Sequence, residues 1–387
     1  MSAETVLSLL TPTGRGAVAV IAVRGPHAAM KIAPYFHAKN RKPLAEQPLA
    51  RIVYGRWHAD GEDLIVCPRA EDEFEIHCHG GSQAVSSIME DLKAVGCKEI
   101  SWQEWVDRSD TCSMRSEARK SLAQAASSRA ALVLLDQFHG SLSHEVSITQ
   151  SLASTNLVAT KERIARLLAT TEFGLHLTRP WRVVIAGLPN VGKSSLINAL
   201  VGYRRAIVFD QPGTTRDVVS VETVVDGWPV SLSDTAGLHR PSDQLEAAGI
   251  ELAKQWLASA DLMIWVLDAA ELTADVQTEM HRQVDALNLQ VPDKLLLVLN
   301  KIDRVPEGLE AEGAIRTSAT SGLGIEELLM AISRALVPKV PSAGEPVVFT
   351  ERQQTGLTSA LKACRRGDVA GVLRELHLLA AQPVCGT

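Results

Sequence analysis

The run Gly187-Leu-Pro-Asn-Val-Gly-Lys-Ser194 decides how this chain is read, because of what stands on either side of it. Ahead of it lies the apolar run Trp181–Ala186, and behind it the helix-forming stretch Ser195–Val201. A G-x-x-x-x-G-K-[ST] pattern set between a strand and a helix is a phosphate-binding loop. Phosphates carry several negative charges, so a site for them needs many donors and little side-chain bulk. Gly187 and Gly192 let the backbone wrap the phosphates, and successive N–H groups plus the helix start supply partial positive charge. Lys193 adds a full charge near the β- and γ-phosphates, and the Ser194 hydroxyl is placed to ligate Mg²⁺. Asn190, Val191 and Ser195 complete the predicted nucleotide loop.

Strands and helices alternate from Trp181 onward, which predicts a parallel sheet with helices on both faces. Asp234-Thr-Ala-Gly237 follows the strand Pro229–Ser233. A carboxylate at that strand end reaches the metal region; after Thr235 and Ala236, Gly237 can present its N–H to a γ-phosphate and then release it. Asp210–Asp217 (Asp-Gln-Pro-Gly-Thr-Thr-Arg-Asp) is built as a mobile loop, and Thr214 or Thr215 would complete the Mg²⁺ shell. Asn300-Lys-Ile-Asp303 follows the buried strand Lys294–Leu299. Asp303, with Asn300 and Lys301 before it, would accept from N1–H and the N2 amine of guanine, whereas adenine leaves the carboxylate unpaired. Ser318-Ala-Thr320 ends the next strand, and its N–H groups, Ala319 included, would brace the base. In this order the segments specify GTP.

The full chain has 387 residues, long for one core, and suggests two or three domains. Hydrophobic residues at 46% and charged ones at 22% are ordinary for a soluble globular protein. A net charge of −6 gives no general attraction to nucleic acid, so RNA contact would use a local patch such as Arg51/Arg56 or Lys362/Arg365/Arg366. No run of about 18 apolar residues exists, so no stable membrane insertion is expected. Met1-Ser-Ala-Glu lacks a basic start, and the six cysteines form no C-x-x-C pair; both point to a cytoplasmic protein. His77-Cys78-His79 alternates faces along a strand and does not read as a metal cluster.

Residues 5–25 read as two strands around the Gly-rich turn Thr11–Gly16, with further strands at 51–57, 63–68 and Glu73–His79 and a helix from Ser82 to Val95. Ser116–Leu135, free of Gly and Pro, suggests one or two helices, and residues 143–171 one more. The expected fold class is α/β, with a phosphate-loop domain inserted in a helical domain and preceded by a small α/β domain. The limits drawn are 1–105, 106–179, 180–340 and 341–387.

The motif order GxxxxGKS, GTTRD, DTAG, NKxD and SA[KRT] is that of translation-factor-class GTPases. The combination Pro-Asn-Val-Gly-Lys-Ser-Ser, Gly-Thr-Thr-Arg-Asp and Asp-Thr-Ala-Gly-Leu-His resembles the MnmE (TrmE) family of tRNA modification GTPases. Thr11-Pro-Thr-Gly-Arg-Gly16, Glu71–Gly81 and Phe349-Thr-Glu-Arg352 look like that family's segments outside the nucleotide domain. The resemblance implies GTP hydrolysis supporting modification of the tRNA wobble uridine, in a homodimer with a flavin-dependent partner subunit acting on tRNA. It further implies K⁺ where other GTPases use an arginine finger, with Asn190 and the Thr214 position as ligands beside the backbone of Phe209 and Gln211. By the same resemblance Thr215 is the Mg²⁺ threonine and Glu246 orients the attacking water.

The family also implies an N-terminal domain that binds a formyl-tetrahydrofolate through an arginine on the strand after Gly-Arg-Gly. Here that position is Ala22, with Arg24 two residues on and on the same face, and Glu75 matches a folate-contacting glutamate. The family's terminal Phe-Cys-Ile-Gly-Lys corresponds to Pro383-Val-Cys-Gly-Thr387, in which Cys385 keeps the cysteine and the lysine is replaced. These departures set a second reading beside the first: a GTP switch that binds RNA or a partner protein and has lost the one-carbon chemistry. A ribosome-assembly GTPase of the Era or Der kind shares Asn190 and Gly-Thr-Thr. Against it, residues 5–100 do not read as a second nucleotide domain and no KH-like module follows residue 340.

Overall fold

The computed structural model describes residues 4–12, 14, 16–110, 112–203, 220–234, 259–272, 275–286, 293–306 and 312–381. These fall into two compact units, divided near residue 111. In the first, β1 (Val6–Leu9), β2 (Val18–Arg24), α1 (Ala28–Ile32), β3 (Phe36–Ala38), β4 (Val53–Trp57), β5 (Asp63–Ala70), β6 (Glu73–His79), α2 (Ser82–Ala94), β7 (Lys98–Glu99) and α3 (Trp102–Ser109) follow one another. The strands make one sheet in the order β3-β4-β5-β6-β2-β1-β7, antiparallel except where β1 meets β7. Period-two patterning explains it: in β6, Phe74, Ile76 and Cys78 are buried while Glu75 and His77 point to the other face. Helix α2 lays Ile88, Met89 and Leu92 on the buried face against Leu7, Ile21 and Val23. The opposite face carries a smaller cluster of Val6, Ala22, Ile100 and, from α3, Trp105. Ser101 starts α3 by accepting from the Glu104 N–H at 3.1 Å.

The second unit opens with α4 (Ser113–Leu122), α5 (Ser128–Phe138), α6 (Ser141–Leu152), α7 (Leu157–Leu168) and α8 (Thr171–Leu175). The single helix expected over 143–171 is therefore two, α6 and α7, with α8 beginning only at its last residue. Asn156 accepts from the Ala159 N–H at 3.0 Å, which satisfies a free donor of a new helix start and lets α7 pack against α6. Ser127 starts α5 in the same way, accepting from Ala130 N–H at 3.1 Å.

Then come β8 (Trp181–Ala186), α9 (Lys193–Gly202), β9 (Ser220–Val225), β10 (Trp228–Asp234), β11 (Leu262–Asp268), α10 (Val276–Ala286), β12 (Leu295–Asn300), β13 (Ala314–Arg316) and α11 (Ile325–Leu336). The chain ends its described part with α12 (Glu351–Arg365) and α13 (Val369–Ala380). Helices α12 and α13 pack back onto α4, α6 and α7, so the sheet domain is an insertion in a helical one. Arg352 and Gln353 of α12 fasten that return to Glu117 of α4, at 2.5 and 2.8 Å. No helix among the described residues is long and apolar enough to cross a membrane.

The inserted sheet runs β13-β12-β11-β8-β10-β9. Its central strand β11 is buried at every position because helices cover both faces. Val184, Met263, Trp265 and Leu299 face α10, while Val183, Ile264 and Val298 face the larger core shared with α9, α11 and the helical domain. One strand departs from the all-parallel expectation: β9 runs antiparallel to β10. The reason is local, since Asp226-Gly227 joins them in a two-residue turn with φ of 49° and 83°, too short for a crossover.

That turn is clamped by α5 and its cap from the helical domain and by α11 of its own domain. Ser127 Oγ donates to the Gly227 carbonyl at 2.6 Å, Arg129 Nη1 donates to Asp226 Oδ2 at 3.0 Å, and Ser333 Oγ donates to the same carboxylate at 2.9 Å. The Arg129 guanidinium lies 4.7 Å from the centre of the buried Trp228 ring. A β-carbon on Gly227 would stand 2.8 Å from Arg129 Cδ, besides adopting a disfavoured φ. Gly227→Ala is expected to lower stability by about 1–3 kcal/mol, read as a drop of several degrees in Tm. An unchanged melt would mean that the turn is not held there.

Candidate nucleotide-binding site

Strands β11, β8 and β10 are neighbours and β12 lies beside β11, so their carboxyl ends gather segments far apart in sequence at one edge of the sheet. After β8 the chain passes through Asn190 (φ 65°) and Gly192 (φ 96°), then enters α9 at Lys193. Lys193 is 6% exposed, and its Nζ donates to the carbonyls of Gly187 at 3.0 Å and Leu188 at 2.9 Å. Burial pushes its pKa down, opposed by the Asp234 carboxylate. A buried cation resting on neutral carbonyls is under-compensated, so the position favours an incoming anion. Ser194 Oγ donates to Asp234 Oδ2 at 2.6 Å, joining the start of α9 to the end of β10.

The segment after β12 is bonded directly to this loop. Asn300 is 1% exposed; its Nδ2 donates to the Val191 carbonyl at 2.9 Å. Its Oδ1 accepts from Thr317 Oγ1 at 3.2 Å and from the Ala319 N–H at 3.3 Å. Lys301 Nζ donates to the Asn190 carbonyl at 2.6 Å. A β-carbon on Gly192 would come within 2.5 Å of Asn300 Nδ2, so contact as well as φ demands glycine there. Asp303 sits in the short turn Ile302–Arg304. A hydrogen bond from the Ser318 hydroxyl, helped by Thr320, holds its carboxyl below the usual carboxylate range. Ser318 Oγ is 3.0 Å from Thr320 Oγ1.

The structure thus brings together Asn190, Val191, Gly192, Lys193, Ser194, Asp234, Asn300, Lys301, Asp303, Ser318, Ala319 and Thr320 through contacts between their segments. Ser195 is exposed on the first turn of α9. Thr214, Thr215, Thr235, Ala236, Gly237, Glu246 and Cys385 lie outside the described residues. Arg24 and Glu75 belong to the first unit. Arg24 does share a face with Ala22, but its guanidinium is engaged: Nε donates to Glu73 Oε2 at 2.8 Å and Nη1 to the Arg108 carbonyl at 3.3 Å. It also lies 4.9 Å from the centre of the Trp105 ring. Glu75 pairs at 3.4 Å with both Arg69 and His77.

One residue of the site escaped the motifs. Asp268, buried at the end of β11, accepts from Lys301 Nζ at 2.6 Å. Its signal was available as a carboxylate closing the apolar run Leu262–Leu267, at the strand end where ligands of such sheets bind.

A family model described as "50S ribosome-binding GTPase" matches residues 182–301. Proteins called tRNA modification GTPase MnmE match nearly the whole chain. The one from Carboxydothermus hydrogenoformans is 31% identical, covering 97% of this chain and 95% of its own. That from Moorella thermoacetica is 30% identical over 94% and 90%, and that from Trichormus variabilis 32% over 89% and 84%. With identity of that order along both lengths, and a phosphate loop joined to a guanine motif at its centre, this chain is a GTPase and belongs to the tRNA modification GTPase MnmE family.

Proposed function

We propose that this protein hydrolyses GTP with Mg²⁺ and K⁺ to support modification of the tRNA wobble uridine. It would act in the cytoplasm as a homodimer, with a flavin-dependent partner subunit and a formyl-tetrahydrofolate as one-carbon donor. The observation that carries the reading is the bonding of the guanine motif to the phosphate loop through the Val191 and Asn190 carbonyls, beside the Ser194–Asp234 oxygen pair. Those two adjacent oxygens suit a hard dication, and Lys193 suits the phosphates. Mg²⁺ held there would neutralise charge on the β- and γ-phosphates. Lys193 would shift its donors from the loop carbonyls to phosphate oxygens. Asp303 would select guanine, and Ser318, Ala319 and Thr320 would brace it. Thr215 would complete the metal shell, Asn190 and Thr214 would hold K⁺, and Glu246 would orient the attacking water. Thr235, Ala236 and Gly237 would report on the γ-phosphate.

One observation favours the second reading. Arg24, the nearest substitute for the family's folate arginine, is already committed to Glu73, the Arg108 carbonyl and Trp105. Freeing it for a folate would break a half-buried ion pair. This supports a GTP switch that binds RNA or a partner protein without one-carbon chemistry. Wobble-nucleoside analysis of tRNA from a strain lacking the protein separates the two. Loss of the modified uridine is expected on the first reading; normal modification, with no binding of labelled formyl-tetrahydrofolate to the purified protein, establishes the second.

A further inference from the structure

Asp268 has both carboxylate oxygens engaged and a side chain only 6% exposed. Oδ1 accepts from the Ala270 N–H at 3.0 Å, which caps the turn Ala269–Glu271. Oδ2 accepts from Lys301 Nζ at 2.6 Å, and that same ammonium donates to the Asn190 carbonyl at 2.6 Å. Lys301 and Asn190 both hold left-handed backbone, at φ 63° and 65°, a conformation disfavoured for residues with a β-carbon. Two unfavourable backbones therefore meet through one ammonium, and the carboxylate beneath it is the group that fixes its position. A lysine held by a single carbonyl on a flexible four-carbon stem would be drawn back to water. With Asp268 in place it spans the end of β11 and the phosphate loop.

We propose that Asp268 is a positioning residue for nucleotide and cation binding: through Lys301 it holds the Asn190 peptide in the orientation that receives the phosphates. The nucleotide part stands on the distances above. The cation part rests on the reading of Asn190 as a K⁺ ligand. The capping bond to Ala270 needs only an oxygen, whereas the bond to Lys301 needs the charge, so Asp268→Asn separates the two duties.

The test uses the full chain and a fluorescent GDP. Asp268→Asn is expected to speed GDP release by about tenfold, the loss of one charge-assisted contact shared between loop and lysine, with little change in Tm. It should also raise the K⁺ concentration for half-maximal GTP hydrolysis severalfold. In a double-mutant cycle with Lys301→Met, Asp268→Asn should add almost nothing, because its partner is already gone. Unchanged release, or full additivity with Lys301→Met, would overturn the proposal; so would a faster release that merely tracks a fall in Tm. A parent protein indifferent to K⁺ would sink the cation reading alone, since the GDP-release and cycle results still judge Asp268.

Discussion

Lys193→Met removes tight binding of GTP while leaving the nucleotide-free protein about as stable as its parent. The two halves of that result come from one environment. Burial depresses the Lys193 pKa below its ordinary 10.5, so the charged form opposes folding at every pH below the lowered value. The sign follows from proton counting: between the two pKa values the unfolded chain binds more protons, so stability rises with pH and the cost lapses only above about 10.5. Methionine ends that cost but strips a donor from the Gly187 and Leu188 carbonyls, each worth about 1 kcal/mol, so the net change stays within about 1–2 kcal/mol. Bound phosphates are expected to lose two charge-assisted contacts instead, on the order of 3–5 kcal/mol, or about 10²–10⁴-fold in affinity. Calorimetric titration with GTP and a thermal melt of the empty protein read the two quantities separately. Retained affinity would remove Lys193 from phosphate binding, and a collapse in Tm would make it a residue of the core.

Asp303→Asn is the second large effect, and its direction is a change of base. As a carboxylate kept ionised by the Ser318 hydroxyl, Asp303 would offer two acceptors to the N1–H and N2 amine of guanine on the proposed reading. Its lowered pKa means that this recognition is retained through neutral and mildly acidic pH and fails only as pH falls below the ordinary carboxylate range. Asparagine replaces one acceptor by an amine, which suits the O2 carbonyl of xanthine and repels the guanine amine. Preference for GTP over XTP should fall by about 10³–10⁴-fold, the scale on which polar sites reject an analogue that leaves donors unpaired. Competition of the two nucleotides for fluorescent GDP measures it. An unaltered preference would place base selection elsewhere.

These two residues could be named before any coordinates, and their bonding partners could not. The phosphate loop is legible because its chemistry is contiguous: strand, glycines, lysine and serine occupy one short segment and need no distant contact to be recognised. Asn300 to Asp303 is legible for the same reason, as are the strands, whose apolar runs declare burial on both faces. The broken helix over 143–171 was hidden because Asn156 reads equally as a helix-surface residue and as a cap; packing of α7 on α6 selects the cap.

Motif and patterning, then, pointed to a GTPase, to a phosphate-loop domain inserted in a helical one and to the candidate residues for phosphate and base. Tertiary structure alone decided what holds them. Asn300 meets the Val191 carbonyl across 109 residues of chain, Arg129 meets Asp226 across 97, and Lys301 meets Asp268 across 33. Arg24 was placed on its face by strand period, yet its commitment to Glu73 and Trp105 depends on a neighbouring strand and a later helix. A short-range pattern reports what a residue can do. Which of its possible partners it meets is set when the sheet order brings distant segments to one edge, a consequence of burying apolar surface over the whole domain that no local window contains.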